Sequence, residues 1–166
     1  MSHDHQNITQ LAQHIIEKAQ QKKVMIALAE SCTGGMIATA LTDISGSSAV
    51  LDRGFVTYSN QAKIDILGVN NATLAQHGAV SEQTALAMVE GTLNAAPMAD
   101  LALSVTGIAG PGGGGPDKPV GLVHFACQRR YSLQTHAKHI FSGDRHMVRQ
   151  QAVHTALMMI GDALDR

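Results

Sequence analysis

The stretch Val24-Met25-Ile26-Ala27-Leu28-Ala29-Glu30-Ser31-Cys32-Thr33-Gly34-Gly35 decides the fold. Val24 to Ala29 is a short apolar run and reads as a buried strand. Met36, Ile37, Ala40, Leu41 and Ile44 follow at helical spacing, so a helix is expected from Thr33 to about Leu41. Ser31 therefore falls at a strand-to-helix turn, its hydroxyl facing the space above a sheet edge. The free N–H groups at the start of the helix face the same space. Gly34 and Gly35 have no side chains to hold a ligand away from them. Two readings stay open at this point. Ser31 is a nucleophile beside an anion-binding helix end, or Ser31 and Thr33 are ordinary helix caps. The run departs from the strict Gly-x-Ser-x-Gly elbow, because Ala29 stands at the first glycine.

Outward from this stretch, strands and helices alternate. Ile8, Leu11, Ala12, Ile15, Ile16 and Ala19 mark one face of a first helix, with Asn7 as its expected cap. Ser45 to Ser48 is a turn, and Phe55-Val56-Thr57-Tyr58 reads as a strand. Ser59-Asn60 then caps a short helix carrying Lys63, Ile64 and Leu67, which Gly68 stops. Ser81 opens a longer helix that buries Leu86, Val89 and Leu93. Leu101 to Thr106 is a strand running into a glycine-rich loop. Val120 to Cys127 and Ser132 to Phe141 read as two strands joined by a hairpin at Gln128 to Tyr131. Gly143-Asp144 caps a last helix carrying Val148, Ala152, Ala156, Leu157 and Ile160. The expected architecture is a single three-layer α/β domain over residues 1–166, a mixed β-sheet with helices on both faces. In such sheets, ligands favour the crevice beyond the carboxyl ends of the strands. Three expected strands end there in polar groups, at Ser31, Tyr58-Ser59 and Thr106-Gly107.

Composition narrows the classes. Aromatic residues make up 3% of the chain and tryptophan is absent, so a base-stacking surface has little to work with. Twelve basic residues face thirteen acidic ones, so no overall basic excess points to nucleic acid. No apolar run reaches the ~18 residues of a membrane helix. The polar Met1-Ser2-His3-Asp4-His5 start is unlike a signal peptide. Cys32 and Cys127 form no Cys-x-x-Cys pair, which fits a reducing, cytoplasmic setting.

Serine needs a base, and a neutral lysine can serve. Lys63 is the candidate, although a helix lysine is more often solvated. The positive end of its helix lowers its pKa by less than about one unit. Burial has to supply the rest, because reaching 7 from about 10.4 needs more than ~4 kcal/mol. Tyr58 lies next to this segment and is a candidate for proton relay or substrate positioning. The run Thr106 to Gly115 is not a Walker A loop, since Lys118 follows Asp117 and Pro119 replaces the Ser or Thr. It still offers backbone N–H groups to a ligand. Arg145 opens the last helix and suits a phosphate or carboxylate, with Arg149 at i+4 on the same face. Cys32 is an alternative nucleophile, against a buried core thiol. Nine histidines raise the question of metal. However, His136 and His139 fall on opposite faces of a strand, and no ligand motif is present, so no metal or cofactor is expected.

Taken together, these segments resemble the CinA C-terminal-domain family, which includes nicotinamide mononucleotide deamidases. The matching stretches are Ala29 to Gly35, Gly54 to Leu67, Gly78 to Ser81, Thr106 to Pro111, Lys118 to Gly121 and Phe141 to Arg145. The chain looks like the stand-alone form of the family. The resemblance implies an amidohydrolase of pyridine nucleotide salvage, turning nicotinamide mononucleotide and water into nicotinate mononucleotide and ammonia. It implies Ser31 as nucleophile and Lys63 as base, with Tyr58 close by. Thr106 and Arg145 also match family positions. The expected site thus comprises Ser31, Lys63 and Tyr58 for catalysis, and Thr33, Gly34, Gly35, Thr106, Gly107 and Arg145 for substrate. The N–H groups from Thr33 to Gly35 are the expected oxyanion donors. The expected partner is a small molecule, not nucleic acid or a membrane. Family analogy adds a homo-oligomer, with a dimer favoured. The rival reading is a non-catalytic nucleotide- or protein-binding module of the same fold.

Overall fold

The computed structural model describes residues 3–166, and side-chain placement from residue 7 onward. The strands are β1 (Ile26–Glu30), β2 (Leu51–Val56), β3 (Leu101–Gly107), β4 (Leu122–Arg129) and β5 (Thr135–Ile140). They form one sheet in the order β2-β1-β3-β4-β5. β1 runs parallel to both neighbours, Leu28 pairing with Gly54 and Leu103. The β3–β4 and β4–β5 pairs are antiparallel. The helices are α1 (His3–Lys22), α2 (Met36–Thr42), α3 (Asn60–Leu67), α4 (Asn71–His77), α5 (Glu82–Ala95) and α6 (Arg145–Asp165). The mixed sheet covered by helices on both faces matches the expected architecture.

Side-chain alternation explains the two layers. Ile26, Leu28, Leu101, Leu103, Val105, Val123 and Phe125 turn toward α1, α2 and α6 and build the large core. Each such Ile or Leu contributes about 1.5–3 kcal/mol on burial, so this layer holds most of the apolar stabilisation. The opposite face of the sheet carries small residues, Ala27, Ala29, Ala102 and Ala126. Small side chains let α5 lie close, and Ser104 Oγ donates to the Ala85 carbonyl at 2.7 Å.

Several boundaries differ from expectation. α2 starts at Met36 rather than Thr33, because Gly34 and Gly35 take left-handed φ of 59° and 97°. β2 ends at Val56, so Tyr58 is a loop residue, not a strand residue. Asn7 lies inside α1, its amide beside His154 at 3.2 Å, and does not cap the helix. α4 was not expected; it is a seven-residue helix with few apolar positions, started by the Asn70 side chain accepting from Ala72 N. The caps Ser59, Ser81 and Asp144 each accept a hydrogen bond from their helix, and Gly68 stops α3. Among the described residues, no helix is long and apolar enough to cross a membrane.

Candidate active site

β1 and β3 lie side by side and parallel, so their carboxyl ends open onto the same crevice. A cleft of about 240 Å³ lies there. Ser31, at the end of β1, shares it with Lys63 from α3, Thr106 and Gly107 from β3, and Arg145 from α6. Tyr58, Ala79-Val80 and the loop from Ile108 to Gly113 complete the wall. Among the described residues, no Asp or Glu lines the cleft.

Lys63 is wholly buried, among the largest fully buried side chains of the chain. The Ser59 cap sets its turn of α3, pointing the side chain under the end of β1. Nζ lies 3.1 Å from Ser31 Oγ, 2.7 Å from the Thr57 carbonyl and 3.5 Å from the Tyr58 carbonyl. Burial pulls its pKa down from 10.5 to about 8. As an ammonium, Nζ donates to all three neighbours; once it loses a proton, its two remaining N–H bonds serve the carbonyls and its lone pair faces Ser31 Oγ–H. At pH 7 a group with this pKa is neutral in roughly a tenth of molecules, against well under a thousandth for a solvated lysine. A serine hydroxyl within hydrogen-bond reach of a lysine whose pKa is lowered toward neutrality is an arrangement in which the amine can accept the hydroxyl proton.

The start of α2 is filled from within. Glu30 is 1% exposed. Its Oε2 accepts from Thr33 Oγ1 at 2.6 Å, Gly35 N at 3.0 Å and Ile37 N at 3.1 Å. Oε1 accepts from Ala38 N at 2.9 Å. A carboxylate at a helix N-terminus is favoured there, so the anion position of α2 belongs to the protein itself. The Gly34 N–H is also engaged, donating to the Ser31 carbonyl at 3.0 Å. Thr33, Gly34 and Gly35 accordingly lie outside the cleft lining, although they were expected to face the substrate. Glu30 went unnoticed in the sequence; a carboxylate ending an apolar strand, followed by Thr33 and glycines, is the signal that marked it.

Arg145 does reach the cleft. Its Nη1 donates to the Gly110 carbonyl at 2.7 Å, and its Nη2 donates to Tyr58 Oη at 3.0 Å. The arginine and the 60%-exposed Tyr58 thus bridge the mouth of the cleft. Thr106 lines the cleft with its hydroxyl donated to the Ala79 carbonyl at 2.8 Å, which ties that wall to β3. Arg149 turns the other way, to the carbonyls of Cys32 and Thr33. Cys32 lines the cleft, but burial pushes its thiol up to about 11, so it stays protonated at neutral pH. His136 and His139 face opposite sides of β5 as expected; His136 meets His124 at 2.9 Å and His139 stacks on Phe141.

Comparison with known proteins joins this geometry to a family. Residues 8–164 match the family model of the CinA C-terminal domain. The chain belongs to the CinA C-terminal-domain family. It is 48% identical over 153 residues to the nicotinamide-nucleotide amidohydrolase PncC of Escherichia coli K12, covering 92% of each chain. It is 58% identical over 127 residues to the PncC of Enterobacter agglomerans, 76% of this chain and 77% of that one. Its fold superimposes on the crystal structure of the competence/damage inducible protein CihA from Agrobacterium tumefaciens with a TM-score of 0.93. That pair is 51% identical and covers 96% of both chains.

Proposed function

We propose that this protein is a nicotinamide-nucleotide amidohydrolase, converting nicotinamide mononucleotide and water to nicotinate mononucleotide and ammonia by a Ser31–Lys63 mechanism. The carrying observation is the 3.1 Å contact between Lys63 Nζ and Ser31 Oγ in a cleft that no described Asp or Glu lines. The 48% identity to the PncC of E. coli over 92% of the chain supports the choice of substrate.

Neutral Lys63 takes the Ser31 hydroxyl proton as Oγ bonds to the carboxamide carbon. The pyridinium ring draws electrons from that carbon and makes it more electrophilic. Negative charge develops on the amide oxygen. The N–H of Cys32, the residue after the nucleophile, is the donor best placed by chain order to meet it. The N–H groups of Gly34 and Gly35 are already bonded to protein acceptors. As the C–N bond breaks, the Lys63 ammonium returns its proton to the leaving nitrogen, which departs as ammonia. Water, deprotonated by Lys63, then attacks the acyl carbon, freeing Ser31 and the carboxylate product. Arg145 and the glycine-rich loop hold the ribose phosphate at the mouth of the cleft.

Ammonia release from nicotinamide mononucleotide by the wild-type protein and by Ser31→Ala tests this reading. The expected loss in the variant is at least about 10³-fold in kcat. Near-normal turnover by Ser31→Ala removes the serine mechanism. Binding of the mononucleotide by the wild type with no ammonia released replaces the enzyme with a binding module.

A further inference from the structure

The turn that carries Ser31 is gripped from behind by a residue outside the cleft. Arg149 lies one helical turn after Arg145 on α6 and is half-buried. Its Nε donates to the Cys32 carbonyl at 3.1 Å and its Nη2 to the Thr33 carbonyl at 3.1 Å. Among the described residues it forms no ion pair and does not line the cleft. A guanidinium that finds no carboxylate is thus engaged with two neutral carbonyls of the nucleophile turn.

Peptide geometry gives that contact a consequence. A trans peptide is planar, with its carbonyl and N–H on opposite sides. Holding the Cys32 carbonyl fixes the plane that joins Cys32 to Thr33. The Gly34 N–H bonded to the Ser31 carbonyl fixes the preceding plane, which carries the Cys32 N–H. Glu30 secures the far end of the turn through the Thr33 hydroxyl and the Gly35 N–H. Arg149 closes the remaining side, holding the Cys32 and Thr33 carbonyls from α6.

We propose that Arg149 is a positioning residue for the hydrolytic reaction, holding the Ser31–Thr33 turn so that Ser31 Oγ and the Cys32 N–H keep their attacking geometry. The inference rests on the Ser31 reading given under Proposed function. It separates two arginines on one helix face. Arg145 meets the substrate, and Arg149 meets the backbone that carries the nucleophile.

The test is steady-state kinetics on nicotinamide mononucleotide for Arg149→Met and Arg149→Lys, with thermal melting of each. Misplacement of reacting groups by about 1 Å costs on the order of 10²-fold in rate. Arg149→Met is therefore expected to lose about 10- to 100-fold in kcat with KM within about twofold. Arg149→Lys, which keeps the charge and can hold one carbonyl, is expected to recover part of the loss. A folded Arg149→Met with wild-type kcat overturns the proposal, as does a deficit confined to KM, which would make Arg149 a substrate ligand. Should Arg149→Met fail to fold, Arg149→Lys alone decides on the same terms: lowered kcat at unchanged KM supports the proposal, and wild-type kcat overturns it. Failure of the parent reading is visible without any Arg149 variant, as full activity in Ser31→Ala, and the positioning role falls with it.

Discussion

The two central strands end in opposite ways. After β1, the turn from Ser31 to Gly35 is bonded at nearly every step, by Glu30, Gly34, Arg149 and Lys63. After β3, the run from Ala109 to Gly114 is anchored at its base, where Gly121 N donates to the Ile108 carbonyl at 2.8 Å. Among the described residues, its middle is held by a single side chain, Arg145 on the Gly110 carbonyl. Both segments wall the same cleft. A nucleophile must be held within a fraction of an ångström of its target, which demands a fully bonded turn. A wall that admits and releases a ligand needs low local stability instead.

The comparison breaks most severely at Lys63. Lys63→Met keeps the apolar stem in its buried slot and removes the proposed base. The expected loss is about 10²–10⁴-fold in kcat with the fold retained. In the wild type, kcat/KM should rise with pH and level off above about 8, as the buried amine loses its proton. A profile flat from about 6.5 to 9.5 removes Lys63 as the base.

A middle-sized effect is expected at the mouth. Arg145→Ala removes a charged donor from the proposed phosphate position and frees the loop at Gly110. A charge-assisted hydrogen bond is worth about 1.5–3 kcal/mol, so KM should rise roughly 10- to 100-fold with kcat within a few-fold. An unchanged KM takes the phosphate away from Arg145.

The smallest effect tests the open character of the loop itself. A Cβ at Gly112 meets no atom within 4 Å. Gly112→Ala should therefore change kcat/KM by less than about twofold, within the range of uncoupled surface substitutions. A larger loss would mean that the loop closes tightly on the substrate and resembles the β1 turn after all.

How much was legible follows from what each residue needs. Ser59, Gly68, Ser81 and Asp144 act through neighbours a few positions away, and their roles were readable in one dimension. The alternation of apolar runs was enough for the layered sheet. α4 escaped because one buried leucine, Leu74, gives no periodic signal. The expected oxyanion role of Thr33 to Gly35 met competitors, since Glu30 takes the Gly35 N–H and the Ser31 carbonyl takes that of Gly34. Arg149 was visible as a neighbour of Arg145, yet its carbonyl partners lie more than a hundred residues away.

By itself, the sequence determined the strand-turn-helix setting of Ser31, the cap and stop of the lysine-bearing helix, and membership of a family. Those depend on local backbone preferences and on residue identity. Tertiary structure alone decided that Lys63 is buried 3.1 Å from Ser31, that its amine loses the cost-free hydration of a surface lysine, and that the α2 end is closed to ligands by Glu30. Burial and charge state depend on what other elements bring against a side chain, and only the packing of α3, α5 and α6 around the sheet supplies that.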